Sequence, residues 1–135
     1  MGGLTVLAAL KRVLPDENFL YLGDTARLPY GTKSPATVRR YAAQAAQQLV
    51  DRGVKALVVA CNTASAFALS HLSQQFAPLP VFGVIEPGAQ AAAACAKADG
   101  VLVVATESTI AGGAYQGALA RRAARVPIYL SLIHI

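Results

Sequence analysis

Apolar and polar positions alternate along this chain in blocks that switch period several times. Leu4, Leu7, Ala8 and Leu14 fall near helical spacing after Gly2-Gly3, and Pro15 stops the pattern, which predicts a first helix. Residues 19–22 read as a short buried strand, and residues 23–32, polar and rich in Gly and Pro, predict a loop. Ser34 has the side chain to cap the next helix and Pro35 suits its first position. Val38, Ala42, Ala45 and Leu49 then make one apolar stripe that ends before Gly53.

Beyond it the pattern predicts a buried strand over 55–60, a helix over 64–75, a strand over 81–84 and a helix over 87–97. A strand over 101–105, a helix over 110–125 and the start of a strand at 128–130 complete the series. Strands apolar on both faces, alternating with amphipathic helices, predict an α/β fold: a parallel sheet flanked by helices on both sides. Both ends depart from a complete domain of that kind. The chain enters in a glycine loop and a helix, where a doubly wound fold ordinarily places a first strand carrying ligand-binding residues. Residues 129–135 are apolar and stop without a cap, a polar exit or a covering helix. The expectation is therefore a chain lacking an upstream strand and truncated downstream, with residues 130–135 a tail foreign to what precedes it.

Composition narrows the class. With 135 residues, 55% hydrophobic and 14% charged, the chain is too apolar for disorder and long enough to bury a core. Its longest apolar runs, such as 56–60 and 101–105, have strand length, far short of the roughly 20 residues that span a bilayer. No signal peptide opens the sequence, so a soluble, cytoplasmic protein is expected, with no membrane partner. The net charge of +5 raises the question of nucleic acid. Its basic residues, however, are scattered as Lys11-Arg12, Arg39-Arg40 and Arg121-Arg122-Arg125 without interleaved aromatics, which reads as solvated helix faces and no nucleic-acid partner. Two cysteines, Cys61 and Cys95, are too few for a disulfide framework, and neither stands at ligand spacing from a His or the other Cys, so no metal site is expected.

Cys61 follows a buried strand and precedes a helix, which places it at the carboxyl edge of the sheet, where open α/β folds bind their ligands. A helix N-terminus there supplies free backbone N–H groups and partial positive charge, which lower a thiol's pKa from about 8.5 and hold a carboxylate, helped by the Asn62 amide and the Thr63 hydroxyl. From position alone the plainer reading has equal weight: Cys61 as a small buried hydrophobe, with Asn62 and Thr63 as helix caps. Cys95, among alanines on a helix, reads as packing. The loop 22–31 gathers polar groups after a strand edge, although turn chemistry alone accounts for Gly23-Asp24 and Pro29-Tyr30-Gly31. Glu86 and Glu107 also follow strands and could act as acid or base, but nothing in the spacing singles them out, and most such carboxylates cap helices or pair locally.

Four stretches together resemble one family, in order and spacing: residues 2–7 (Gly-Gly-Leu-Thr-Val-Leu), 21–31 (Tyr-Leu-Gly-Asp-Thr-Ala-Arg-Leu-Pro-Tyr-Gly), 60–65 (Ala-Cys-Asn-Thr-Ala-Ser) and 83–88 (Gly-Val-Ile-Glu-Pro-Gly). They resemble glutamate racemases of the aspartate/glutamate racemase superfamily, and the loop 24–31 is the most specific of them. The resemblance covers residues 2–128. It implies a cofactor-independent interconversion of L- and D-glutamate that supplies the D-isomer for peptidoglycan, with no pyridoxal phosphate and no metal. Cys61 matches the first of two catalytic cysteines. Tyr30, Gly31, Asn62 and Thr63 match substrate-binding positions, and Thr106 and Thr109 resemble threonines near the substrate. Members commonly form homodimers, but the sequence marks no contact surface.

The departures bear on activity. The family's Asp-Ser pair upstream of the glycines is absent, the chain starting at Met1, and the second cysteine, in a Cys-Thr-His motif, has no counterpart, since Cys95 precedes Ala96-Lys97. Residues 1–97 are expected to form most of the first racemase-like domain and 98–129 the start of a second, with 130–135 unmatched. This chain is accordingly expected to be inactive as a racemase. The competing readings are a one-cysteine relative, such as an arylmalonate-type decarboxylase, and a non-catalytic remnant.

Overall fold

The computed structural model describes residues 2–96 and 99–133. Helix α1 spans Gly2–Val13 as the Leu4/Leu7/Ala8 spacing requires, yet none of its residues is buried. Helix α2, Pro35–Val50, starts as its sequence dictates: the Ser34 side chain accepts from Thr37 N at 3.3 Å and Pro35 occupies the first turn. It buries Val38, Ala42 and Ala46, and Gly53 turns the chain away at φ +74°. Strand β1 (Leu57–Val59), helix α3 (Asn62–Gln75), strand β2 (Val81–Gly83) and helix α4 (Ile85–Cys95) follow. Strand β3 (Val101–Ala105), helices α5 (Glu107–Ala111) and α6 (Ala114–Arg122) and strand β4 (Ile128–Leu132) complete the order.

The strands form two parallel pairs, β1 with β2 and β3 with β4, in the α/β arrangement expected of crossovers through helices. A first core joins Ala42 and Ala46 of α2, Leu57 of β1, and Ala68, Leu72 and Phe76 of and after α3. A second joins Ile85 and Ala89 of α4, Val103 of β3, and Ala118 and Leu119 of α6. Ala89 and Ala118 are fully buried, and such small side chains let two helix backbones lie close.

Several expectations are corrected. Residues 19–22 form no strand, and Leu20 and Tyr21 stay half exposed. A strand exists only through its ladder, and among the described residues nothing pairs with this segment. The sheets are not buried on both faces: Val58 and Phe82, side by side in register, and Leu102 and Val104 in β3 remain exposed. In β3 burial still alternates with period two although every position is apolar. The helix expected over 110–125 is two helices, because Gly113 adopts φ +65° after Gly112 and resets the direction. Cys95 is exposed at the last residue of α4 instead of packed. Residue 97, where that helix was expected to end, and residues 134–135 of the tail lie outside the described residues. The rest of the tail contributes residues 130–132 to β4, in unbroken register with Val103, Val104 and Ala105.

Candidate functional site

The site begins where β1 hands the chain to α3. Cys61 occupies the N-cap of α3 in an extended conformation, its side chain exposed and making no capping bond. The first intrahelical bond runs from Ser65 N to Cys61 O at 2.8 Å, so the N–H groups of Asn62, Thr63 and Ala64 have no acceptor within the helix. Ser65 fixes this turn to the end of β1 and to the N-cap of α4 just past β2. Its hydroxyl donates to Val59 O at 2.8 Å and accepts from Val84 N at 3.3 Å. Asn62 and Thr63 lie inside the first turn and are therefore not caps, and Cys61 is not a buried hydrophobe.

Three threonine hydroxyls meet beside that turn. Thr63 Oγ1 lies 3.2 Å from Thr106 Oγ1 and 3.1 Å from Thr109 Oγ1, and the latter two are 3.0 Å apart. Thr106 precedes α5 and Thr109 lies within it, so the short helix after β3 brings both to the start of α3. Thr63 and Thr109 are buried, at 4% and 1% exposure, and Thr106 is partly exposed. A hydroxyl carries one proton and two lone pairs, so a closed ring uses all three protons internally, and rotating one hydroxyl outward frees a donor.

The loop 22–33 forms the second wall. Tyr30 donates its hydroxyl to Asp24 Oδ2 at 2.5 Å, and Arg27 Nε lies 2.8 Å from the same oxygen. Arg27 also reaches Gln44 Oε1 at 2.6 Å, and its guanidinium sits 4.6 Å above the centre of the Tyr41 ring. Burial, then the Asp24 hydrogen bond and the Asp24 charge, push the Tyr30 phenol well above its ordinary range, and Cys61 adds a smaller contribution of the same sign. The hydrogen bond and charge of Asp24 also raise the Arg27 guanidinium above its ordinary value. Gly31 lies against Thr106: a Cβ added there would stand 2.7 Å from the Thr106 Cβ and Cγ2 atoms. Ser108 holds the contact closed by donating to Gly31 O at 2.6 Å.

All seven residues singled out by sequence, Tyr30, Gly31, Cys61, Asn62, Thr63, Thr106 and Thr109, thus belong to one neighbourhood, linked through Thr63, Thr106 and Gly31. Glu86 lies apart from it, its carboxylate shared between Arg121 at 2.5 Å and Arg122 at 2.6 Å. Glu107 is exposed at the start of α5. Sequence reading gave Asp24 only a turn role within the loop, and it passed over Ser108 and Tyr115, whose hydroxyl donates to Asn62 Oδ1 at 2.8 Å. The signal for Ser108 was visible as three hydroxyl residues in the four positions 106–109 after a strand; Tyr115 left none. Among the described residues, no group of three or more His, Cys, Asp and Glu is placed to hold a metal ion, and no helix is long and apolar enough to cross a membrane.

Comparison with known proteins gives a consistent result. The family model described as Asp/Glu/Hydantoin racemase matches residues 4–132, three residues into the segment that sequence reading set apart as unmatched. The glutamate racemase of Aquifex aeolicus is 49% identical over 137 aligned residues, covering 98% of this chain and 54% of that protein. Among solved structures, glutamate racemase from Aquifex pyrophilus superposes with a TM-score of 0.91 at 43% identity, covering 97% of this chain and 51% of that one. The Francisella tularensis glutamate racemase in complex with D-glutamate gives 0.87 at 39% identity, covering 97% and 48%. The chain spans about half the length of the relatives it matches.

Proposed function

The chain belongs to the Asp/Glu/hydantoin racemase family, and from that premise we propose that its site serves the cofactor-independent interconversion of L- and D-glutamate, with Cys61 as one of the two proton-transferring groups. The observation that carries this reading is the exposed Cys61 thiol at the N-cap of α3, set beside free backbone donors and hydroxyls, whereas the Glu86 carboxylate is engaged by Arg121 and Arg122.

Inverting a stereocentre by proton transfer takes a base on one face and an acid on the other, because a lone base tends to return the proton to the face it left. As thiolate, Cys61 removes the α-proton. The bond's electron pair delocalises into the adjacent carboxylate, and a proton delivered to the opposite face gives the other enantiomer. Charge growing on that carboxylate is met by donors already oriented: the N–H groups of the first turn of α3, the Asn62 amide and the hydroxyls of Thr63 and Thr106, with Thr109 acting through them. Tyr30 and Gly31 line the opposite wall. Proton transfer alone completes the reaction, so no cofactor is invoked. Supply of the D-isomer for peptidoglycan in the cytoplasm is the cellular role that this reading carries.

The same reading divides the chain at 97/98 into one racemase-like unit and the opening of a second, with α4 as a shared wall whose Ile85 and Ala89 pack on Val103, Ala118 and Leu119. Cys61 is the one proton-transferring thiol this reading assigns; Cys95 lies exposed at the end of α4 and is given no role. The isolated chain is accordingly expected to exchange the α-proton without inverting it.

Incubation with L-glutamate in deuterium oxide, read by proton NMR at the α-position and by a chiral assay, tests both statements. Exchange without inversion is the outcome of Cys61 acting alone. Inversion by the isolated chain defeats the single-thiol argument, and absence of exchange in folded protein defeats the assignment of Cys61 in this chain.

A further inference from the structure

Strand β4 is paired on one side only, and the phase of its ladder settles which backbone groups face away. Val101 N bonds Pro127 O at 2.8 Å at one end of the parallel pair, and Ile133 N bonds Ala105 O at 2.9 Å at the other. That phase turns the N–H and C=O groups of Tyr129 and Ser131 towards β3 and those of Ile128, Leu130 and Leu132 outward. Among the described residues, these outward groups have no hydrogen-bond partner. Sheet edges are ordinarily blunted by a charge, a proline or a bulge. The strand Ile128–Leu132 carries none of these and runs in unbroken register along β3. Its apolar side chains point to both faces of the sheet, with Tyr129, Leu130 and Leu132 all about half exposed. The far edge of β3 turns only Leu102 and Val104 outward, and β1 and β2 are three residues long, so β4 is the longest free template among the described strands.

We propose that β4 pairs antiparallel with β4 of a second copy of this chain, across a two-fold axis at Leu130. One self-complementary edge permits such a closed contact. With the axis at Leu130, that residue faces Leu130 of the second copy and Ile128 faces Leu132, so every outward group bonds. An axis shifted by one residue leaves Ile128 or Leu132 unpaired. On the other face the same register sets the Tyr129 ring opposite the small Ser131 side chain. The exposed parts of Tyr129, Leu130, Leu132 and Ile133, with the strand backbone, offer on the order of 400 Å2 per copy, about 800 Å2 for the pair. Contacts below about 1,200 Å2 belong to weak complexes, so the dimer exchanges with monomer. The inference does not depend on the racemase reading.

Sedimentation velocity on the full chain, in reductant so that the exposed Cys61 and Cys95 form no link, is the first test. Monomer passing to dimer as concentration rises is expected. Monomer throughout overturns the proposal, and so does open-ended growth, which a two-fold contact forbids. Leu130→Lys sets two ammonium groups against each other at the axis and should weaken dimerisation about tenfold or more. Phe82→Ser, at an exposed apolar position on β2, should leave it unchanged. An unaffected Leu130→Lys, or equal loss in both variants, overturns edge pairing. Amide exchange in the parent, followed by NMR, reads the register and decides the matter should Leu130→Lys not fold. In concentrated solution the amides of Ile128, Leu130 and Leu132 slow, while those of Tyr129 and Ser131, already bonded to β3, do not change. Exchange independent of concentration at all three overturns the pairing, and slowing confined to two of them overturns the axis at Leu130.

Discussion

Ser108 and Gly31 are 77 residues apart in sequence, and the Ser108 hydroxyl donates to the Gly31 carbonyl at 2.6 Å while lying 3.3 Å from the carbonyl of Lys33. One side chain on α5 thus pins the wall of the site that carries Tyr30. Ser108→Ala leaves both carbonyls without that donor, at a cost of about 1 kcal/mol for a part-buried hydrogen bond. Faster amide exchange confined to residues 22–33, measured by mass spectrometry, is the expected signature. Uniform change across the chain contradicts a local clamp.

Gly31 has no room for a side chain. Gly31→Ala drives a methyl to 2.7 Å from Thr106 carbon atoms, which forces Thr106 or the loop to move. Overpacking of this kind costs about 1–3 kcal/mol. Gly2→Ala, where nothing lies within 4 Å of the added carbon, is the control and should unfold in urea at the parent midpoint.

Removing one corner of the threonine triangle leaves the other two bonded only to each other. Thr109→Val keeps the shape of a side chain only 1% exposed but deletes the hydroxyl shared by Thr63 and Thr106. A loss of about 1–2 kcal/mol in chemical denaturation is expected. Thr106→Val, at a partly exposed corner, should cost less, because water replaces the missing partner.

Alkaline pH should weaken the fold through two phenols. Tyr30 and Tyr115 both titrate above the ordinary value of 10.0 when folded, burial being the leading cause in each, so the folded state favours their neutral forms. Their contribution is complete below about pH 10 and is lost as pH rises through the raised folded values. Urea midpoints between pH 9 and pH 12 should fall, and Tyr30→Phe should show the shallower decline. A parent and variant with parallel profiles argue against Tyr30 as a contributor.

Which parts of this were legible in the residues follows from the range of the interactions. Helix α2 was readable because its signals are local: Ser34 bonds Thr37 three residues on, and the apolar stripe repeats within the same segment. The turn from β1 into Cys61 and α3 was equally local. Phe19 to Leu22 misled because apolar composition marks a segment fit for a sheet but says nothing of a partner. The helix expected through Gly112-Gly113 failed because a glycine pair is compatible with helix until packing sets its φ angle. The seven candidate site residues were legible mostly through family resemblance, whereas Tyr115 depended on a contact across 53 residues that no local pattern encodes.

The threonine triangle closes over separations of 43 and 46 residues, and the Ser108 clamp over 77. Closing such loops is entropically slow compared with forming a helix turn. Synthesis therefore releases Cys61 and the start of α3 well before residues 106–115 exist to meet them. During that interval the nascent chain carries an accessible thiol with no chemistry arranged around it, and the arrival of α5 and α6 converts a bare cysteine into a site. The arrangement around Cys61 is thus a late timestamp on folding, acquired only when contacts between residues 43 to 77 apart have formed.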